Sequence, residues 1–172
     1  MLLVLFAATA VPMCAAKLRV EGEVTELNSR GAMSGVLVRI YKNGVVQHKH
    51  VTDASGKYNV VLDNNATYVL RFSKPGHITK SFSIDTHGPV WENDRKVHEL
   101  EVEMTMFEAV PGLDLTFFDL PLGIARFVPS TGMVHWSDRY EQNVMPEVER
   151  LMAEVGARRD QLAVTTDRRT MF

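Results

Sequence analysis

Apolar and polar residues alternate with a period of two from Lys17 onward. In the first such run Leu18, Val20 and Val24 fall on one face, and Glu21 and Glu23 fall on the other. Successive side chains of a β-strand point to opposite faces, so this alternation predicts a half-buried strand. Comparable runs predict strands over residues 18–25, 36–41, 45–52, 58–62, 68–72, 78–84 and 98–106. About seven short strands with turn residues between them indicate a mainly β fold, an antiparallel Greek-key sandwich.

Two of the turns carry specific dihedral signals. Asn43-Gly44 is a strong two-residue hairpin signal, and the weakly apolar strand 45–52 that follows it is expected at a sheet edge. In Lys74-Pro75-Gly76-His77, Pro75 fixes the first central dihedral of a type II turn and Gly76 supplies the positive one. Within the strand after it, Lys80 falls on the apolar face, which predicts a bulge or a strand end there.

The turn between strands 45–52 and 58–62 contains Asp53, Ser55 and Gly56. We expect the Asp53 carboxylate to accept the amides of Ser55 or Gly56, Gly56 to adopt a left-handed conformation, and Tyr58 to restart the alternation. A calcium loop needs several oxygen ligands at alternating positions, and only Asp53 and Ser55 fit that pattern. The stretch is therefore interpreted as a structural turn that holds two neighbouring strands in register.

The pattern changes after Phe107. Residues 113–128 are rich in Phe, Leu and Ile, and residues 124–128 and 133–136 predict a short hairpin. Apolar residues then recur every three or four positions from Tyr140 to Val155, which predicts a C-terminal α-helix. The apolar C-terminal run is interpreted as a second small core formed with the helix face, with a docking surface for an envelope partner as the alternative.

Local signals also predict how this helix begins and ends. Asp138 and Glu141 resemble a capping box, and Pro146 predicts a kink or a fresh start. Gly156 is a natural helix end. The predicted domains are thus a sandwich over 17–107, a hairpin-and-helix extension over 108–156 and a flexible tail over 157–172.

Residues 1–16 stand apart because they are almost wholly apolar and carry no charged side chain. A membrane-spanning helix needs about 20 residues, so this stretch is interpreted as a signal peptide cut after Ala16. The alternative is an apolar N-terminal strand or helix. Cys14, the single cysteine, excludes an intramolecular disulfide and is also a possible lipid attachment site. The predicted location is exported, either periplasmic or associated with the outer membrane.

Composition narrows the classes of partner. The chain has 172 residues, 45% hydrophobic and 23% charged, with a formal net charge of −2. These values are ordinary for a globular protein and give no general attraction to nucleic acid, so no nucleic-acid partner is expected. A membrane association is expected only through a lipid on Cys14.

Four segments together resemble the carboxypeptidase regulatory-like domain of the transthyretin-like, or prealbumin, sandwich group. They are Val20-Glu21-Gly22-Glu23-Val24, Gly35-Val36-Leu37-Val38, Thr52-Asp53-Ala54-Ser55-Gly56-Lys57-Tyr58 and Phe72-Ser73-Lys74-Pro75-Gly76-His77. The resemblance covers about 17–107. It implies an accessory module of the kind found in bacterial cell-envelope proteins. From the residues themselves, no catalytic, cofactor or metal residues are predicted.

Three features of the sequence bear on alternative chemical roles. His48 and His50 lie two apart on one strand and form the start of a metal site that lacks a marked third ligand. Glu99, Glu101 and Glu103 form an acidic row that is expected to be solvated or paired with basic residues on the next strand. A hydroxyisourate hydrolase of the transthyretin-like group has a Tyr-Arg-Gly-Ser-type ending, which residues 168–172 lack.

The resulting prediction is a non-enzymatic exported sandwich without a cofactor, with a structural or protein-binding role at the bacterial cell envelope. The alternative is a carbohydrate- or ligand-binding module, whose candidate aromatic contacts are Tyr41, Trp91 and Trp136. The expected partner is a cell-envelope protein or a glycan.

Overall fold

The computed structural model describes residues 16–89 and 95–170. Two predicted features lie outside the described residues. They are the signal peptide with Cys14, of which only Ala16 is described, and the candidate aromatic residue Trp91. Within the described residues the protein is mainly β, with two sheets, a hairpin and a C-terminal helix, as the sequence predicts. The strands are β1 Lys17–Glu26, β2 Leu37–Lys42, β3 Val45–Val51, β4 Lys57–Leu62, β5 Thr67–Ser73, β6 Lys80–Asp85, β7 Val97–Glu101, β8 Met104–Met106, β9 Ile124–Val128 and β10 Met133–Trp136. A short 3-10 helix spans Thr116–Asp119, and α1 spans Asp138–Thr170.

The two sheets pack face to face around one core. The smaller sheet has the order β4-β1-β7 with β8 also pairing β1, and the larger has the order β10-β9-β6-β5-β2-β3. Alternate residues of both sheets are buried in that core, among them Leu18 and Val20 of β1 and Leu70 and Phe72 of β5. The alternation in the sequence therefore identified the inward faces correctly, and β3 lies at a sheet edge as predicted.

The strand directions differ from the fully antiparallel prediction. β1 pairs in parallel with β7 and β8, and β6 pairs in parallel with β9. Each of these pairs is joined by a connection that passes through the opposite sheet, which allows the chain to return in the same direction. The alternation of apolar and polar residues indicates which face of the sheet a residue occupies, but it does not indicate the direction of the strand.

The strand predicted over 98–106 is broken between β7 and β8. At the break, the Val102 N–H donates to the Glu21 carbonyl at 2.9 Å, and the Tyr58 hydroxyl donates to the Val102 carbonyl at 2.6 Å. A Cβ on Gly22 would lie 2.0 Å from that carbonyl oxygen, so only glycine leaves room for it. Burial raises the pKa of the Tyr58 phenol, which keeps the hydroxyl protonated and able to donate.

The turn at Asp53–Gly56 has the predicted local geometry and a different role. The Asp53 carboxylate accepts the Ser55 amide at 2.8 Å and the Ser55 hydroxyl at 2.6 Å, and these hydrogen bonds lower the pKa of Asp53. Gly56 has φ +69°. The prediction that this turn pairs its two flanking strands is wrong, because β3 belongs to the larger sheet and β4 to the smaller. The turn carries the chain between sheets, and the Gly56 carbonyl accepts the amide of Val24 on β1 at 2.9 Å.

The other predicted turns are confirmed. Asn43 and Gly44 both have positive φ, as a type I′ hairpin requires, and β2 pairs with β3. Gly76 has φ +78°, and the His77 N–H donates to the Lys74 carbonyl at 3.0 Å, consistent with a type II turn at Pro75-Gly76.

The C-terminal segment forms a second core against one end of the sandwich, as predicted, although Phe127 of the apolar run belongs to the main core and Leu120 and Trp136 are exposed. Phe107, Phe118, Leu151 and Val155 are buried together there, and Ile78 of the sandwich packs against them. The Arg159 side chain donates to Asn28 Oδ1 at 3.0 Å, which attaches the helix to the β1–β2 loop.

The helix boundaries differ from the prediction at both ends. Ser137, one residue before the expected Asp138, is the N-cap, since its hydroxyl accepts the Tyr140 amide at 3.3 Å. The helix end predicted at Gly156 is wrong, because α1 continues to Thr170 with Pro146 inside it. Beyond Gly156, the Arg159 side chain donates to Asn28 Oδ1 and to the Glu108 carbonyl, and the segment predicted as a tail is helical through Thr170.

Candidate functional site

A cleft of about 370 Å³ opens beside β8, between the two sheets, where α1 begins. Its size lies at the lower end of the range of small-molecule sites. Its walls come from the start of β6, the β7–β8 break, the loop before β9, the end of β10 and the first turns of α1. The lining residues are Lys80, Phe82, Val102, Glu103, Met104, Thr105, Leu122, Gly123, Ile124, Trp136, Ser137, Glu141 and Met145.

Trp136, the last residue of β10, is fixed against one wall of the cleft. Its ring packs edge-to-face on Phe82 of the sandwich core, with centroids 6.1 Å apart. A Cβ on Gly123 would lie 2.8 Å from the indole Cζ3, so the missing side chain makes room for the ring. Trp136 nevertheless remains 39% exposed. A large aromatic surface is thus held in place while part of it stays open to a ligand.

Lys80 lies at the base of the cleft and begins β6, as its position on the apolar face had predicted. Its buried amine donates to the Thr105 carbonyl at 2.6 Å and lies 4.9 Å and 5.5 Å from the ring centroids of Phe107 and Phe118. Burial lowers the pKa of Lys80 to about 8. Its ammonium group therefore already interacts with a backbone oxygen and two aromatic rings.

Two exposed carboxylates line the cleft. Glu103 lies in the β7–β8 break, and its Oε1 accepts the Thr25 hydroxyl at 2.9 Å. Glu141 lies in the first turn of α1, which Ser137 caps. Glu141 and Met145 also line an adjoining groove along the helix with Asp138, Gln142 and Glu149. The cleft therefore adjoins an acidic helix surface.

The structure separates the aromatic residues that the sequence singled out. Trp136 lines the cleft, whereas Tyr41 lies on β2, four strands away in the same sheet. Four interstrand spacings amount to about 19 Å, so one small ligand does not contact both side chains. Trp91 lies outside the described residues. Of these three residues, Trp136 is the one that the structure places in a cleft.

Apart from Glu103, the polar candidates of the sequence lie outside this cleft. His48 and His50 are on the exposed edge strand β3, where His50 Nε2 lies 3.2 Å from the Lys57 carbonyl. Over residues 16–89 and 95–170, no group of three or more His, Cys, Asp or Glu side chains is placed to hold a metal ion. Glu99 pairs with Arg19 of β1 at 3.0 Å, as expected for an acidic row beside a basic strand residue.

Sequence reasoning missed the contribution of Glu103 and Glu141 to the cleft. Alternation places Glu103 in one row with Glu99 and Glu101, but the break after β7 separates it from that row. The sequence marks Glu141 only as a residue of the predicted capping box. No sequence spacing marks their proximity to Trp136, because that proximity depends on how α1 packs beside β8.

In the part of the chain that the structure describes, no helix combines the length and apolar character needed to span a bilayer.

No protein-family model matches the chain, and a search of curated proteins gave no match. Solved structures with partial similarity include 3-chlorocatechol 1,2-dioxygenase from Rhodococcus opacus 1CP, with 11% identity, a TM-score of 0.41, and coverage of 57% of this chain and 62% of that one. Catechol 1,2-dioxygenase from Acinetobacter sp. ADP1 has 12% identity and a TM-score of 0.40, over 63% of this chain and 57% of that one.

The dioxygenase domain of a dioxygenase carbohydrate-binding protein fusion from Streptomyces sp. SirexAA-E has 12% identity and a TM-score of 0.41, over 59% of this chain and 86% of that one. This chain matches less than two thirds of the length of the first two proteins. These structural neighbours are enzymes, but similarity at this level carries no inference about the activity of this chain.

Proposed function

We propose that this protein is a non-enzymatic binding module of the bacterial cell envelope, of the carboxypeptidase regulatory-like type, which holds part of a partner or a small ligand in the Trp136 cleft. The observation that carries the proposal is the geometry of Trp136. Its ring is fixed by Phe82 and by the close approach to Gly123, yet it remains 39% exposed beside an open cleft. An immobilised and partly exposed aromatic side chain favours binding, because little conformational entropy is lost when a ligand packs on it.

The chemistry of the cleft supports binding rather than catalysis. The Lys80 amine is engaged by the Thr105 carbonyl and by two rings, which leaves it poorly placed as a nucleophile. Glu103 and Glu141 are both exposed, whereas a carboxyl group that acts as a general acid commonly lies in apolar surroundings.

NMR titration of the indole N–H signals tests this proposal. The chain has two tryptophans, and Trp136→Phe identifies the signal of Trp136. A panel of oligosaccharides and of neutral and charged amino-acid derivatives would be titrated to about 10 mM, ten times a millimolar Kd. We expect at least one compound to shift the Trp136 signal saturably. Trp136→Ala lacks that signal, so its binding is followed by the backbone amide signals of the cleft residues, which should no longer shift.

Tyr41→Ala is the matched control, because it removes an aromatic residue about 19 Å from the cleft. It should leave the titration unchanged. A Trp136 signal that no compound shifts, or binding that survives Trp136→Ala, would contradict the proposal.

The second candidate is a glycan-binding module, which Trp136 also favours because sugars pack on exposed aromatic rings. Saturable shifts with oligosaccharides alone would support that function over recognition of a protein side chain.

A further inference from the structure

We propose that the cleft selects a ligand with an alkylammonium or guanidinium group on an apolar stem. This inference rests on the proposed binding function and names the chemistry of the ligand. It follows from where the charges of the cleft lie relative to its aromatic surface.

The accessible charges of the cleft are negative. Glu103 and Glu141 are exposed, and Asp138 and Glu149 continue the acidic surface along the adjoining groove. Among the described residues, Glu141 has no ion-pair partner and Glu103 Oε2 has no hydrogen-bond donor. Carboxylate oxygens with free acceptor capacity form their strongest hydrogen bonds with cationic donors.

The positive charge of the cleft lies in its base. Lys80 is only 8% exposed, and its amine donates to the Thr105 carbonyl. It therefore does not present a cation to the ligand. An anionic ligand would instead meet Glu103 and Glu141, and the Tyr140 amide at the start of α1 is already bonded to the Ser137 hydroxyl.

The walls of the cleft fit an apolar stem that ends in a cation. Leu122, Ile124 and Met145 contribute apolar surface, and the partly exposed indole of Trp136 adds aromatic surface. Indole is the aromatic group that attracts cations most strongly. A lysine or arginine side chain has both parts, and so does a free alkylamine.

A matched pair of ligands tests the requirement for charge. Nα-acetyl-lysine methylamide and Nα-acetyl-norleucine methylamide share an apolar stem, and only the first carries an ammonium group. Titrated against the Trp136 indole signal at low salt, the lysine derivative should bind about tenfold more tightly, which corresponds to about 1.4 kcal/mol. Its advantage should shrink at about 1 M salt, because exposed charges are then screened.

Two carboxylate variants and a control test the cause. Glu103→Gln and Glu141→Gln should each weaken binding of the lysine derivative severalfold and leave binding of the norleucine derivative unchanged. Glu101→Gln removes an exposed carboxylate of β7 that does not line the cleft, and it should have no effect. A Glu103→Gln/Glu141→Gln double variant with the parent affinity for lysine would overturn the inference.

A further arm distinguishes the sources of the cation. If the lysine derivative binds more tightly than pentylamine, the backbone-like amides contribute and the source is a basic side chain of a polypeptide. Equal binding points to a free alkylamine, and both results support the inference. If oligosaccharides or the norleucine derivative shift the Trp136 signal as strongly as the lysine derivative does, the inference about a cationic ligand is overturned and the proposed binding function stands. No shift with any probe would overturn both.

Discussion

The hydroxyl of Tyr58 donates a 2.6 Å hydrogen bond to the Val102 carbonyl at the point where β7 gives way to β8. Tyr58 is itself 3% exposed, so no bulk water replaces the donor if the hydroxyl is removed. We expect Tyr58→Phe to lower the free energy of unfolding by about 1–3 kcal/mol, since it leaves a carbonyl unsatisfied. Urea unfolding measures this loss.

Tyr41→Phe is the control for that variant, because no hydrogen bond from the Tyr41 hydroxyl to another described residue is present. It should change stability by less than about 0.5 kcal/mol. Equal losses in the two variants would show that the Val102 bond contributes nothing particular.

Gly56→Val should destabilise the sandwich through crowding as well as through dihedral strain. A Cβ at Gly56 would lie 2.7 Å from the Val24 carbonyl oxygen, whereas a Cβ at Gly44 would have no atom within 4 Å. Both glycines have positive φ, so Gly44→Val reports the strain alone. We expect the melting temperature to fall further for Gly56→Val than for Gly44→Val. An unchanged melting temperature in Gly56→Val would disprove the structural role of this turn.

Lys80 should make stability depend on pH in the alkaline range. Its native pKa of about 8 is below the ordinary value of 10.5, so between these values the unfolded chain binds more protons than the native one. The free energy of unfolding of the parent, relative to Lys80→Met, should therefore rise as the pH increases from about 8 to about 10.5. The full rise is on the order of 3 kcal/mol.

Urea unfolding of the parent and of Lys80→Met at intervals across this range measures the difference. The raised pKa of Tyr58 is common to both proteins and cancels. Lys80→Met also loses the hydrogen bond to the Thr105 carbonyl, which changes its free energy of unfolding by an amount that does not vary with pH. Parallel stability curves would contradict the assignment of a neutral amine to the native state above pH 8.

Removing residues 108–172 should leave a sandwich that unfolds or precipitates. The deletion exposes Phe107 and Ile78 and removes β9, which pairs with β6. Leu151→Ala tests the same packing more mildly and should cost about 2–5 kcal/mol, because Leu151 is buried in the second core. A soluble truncated sandwich with the stability of the full chain would show that the second core is dispensable.

The sequence predicted which residues of a strand face the core and where the turns lie, but it did not predict which strands pair. Alternation identified Leu18 and Val20 as core residues, and the dihedral demands of Gly44 and Gly76 identified their turns. Asp53 and Gly56 have the chemistry of a turn, but the same chemistry serves a hairpin or a crossing between sheets. Only the pairing of β4 with β1 decides between them.

The candidate site was only partly predictable for a related reason. Trp136 could be singled out as an aromatic residue, whereas Glu103 and Glu141 reach the same cleft through a strand break and a helix start. The break itself depends on the carbonyl of Val102 fitting against Gly22, a contact between residues far apart in sequence. Local sequence propensities do not predict a contact between residues so far apart in the chain.

The parallel pairing of β1 with β7 has a consequence for the order of folding. Arg19 and Glu99, which face each other across this pair, are 80 residues apart. The smaller sheet therefore cannot be completed until more than half of the chain is available, and closing so long a loop is slow. We expect folding on the millisecond-to-second scale typical of β-sandwiches, with the β2–β3 hairpin able to form early and one edge of β1 unpaired until late. During that interval the unpaired edge of β1 is available for pairing with a strand of another chain.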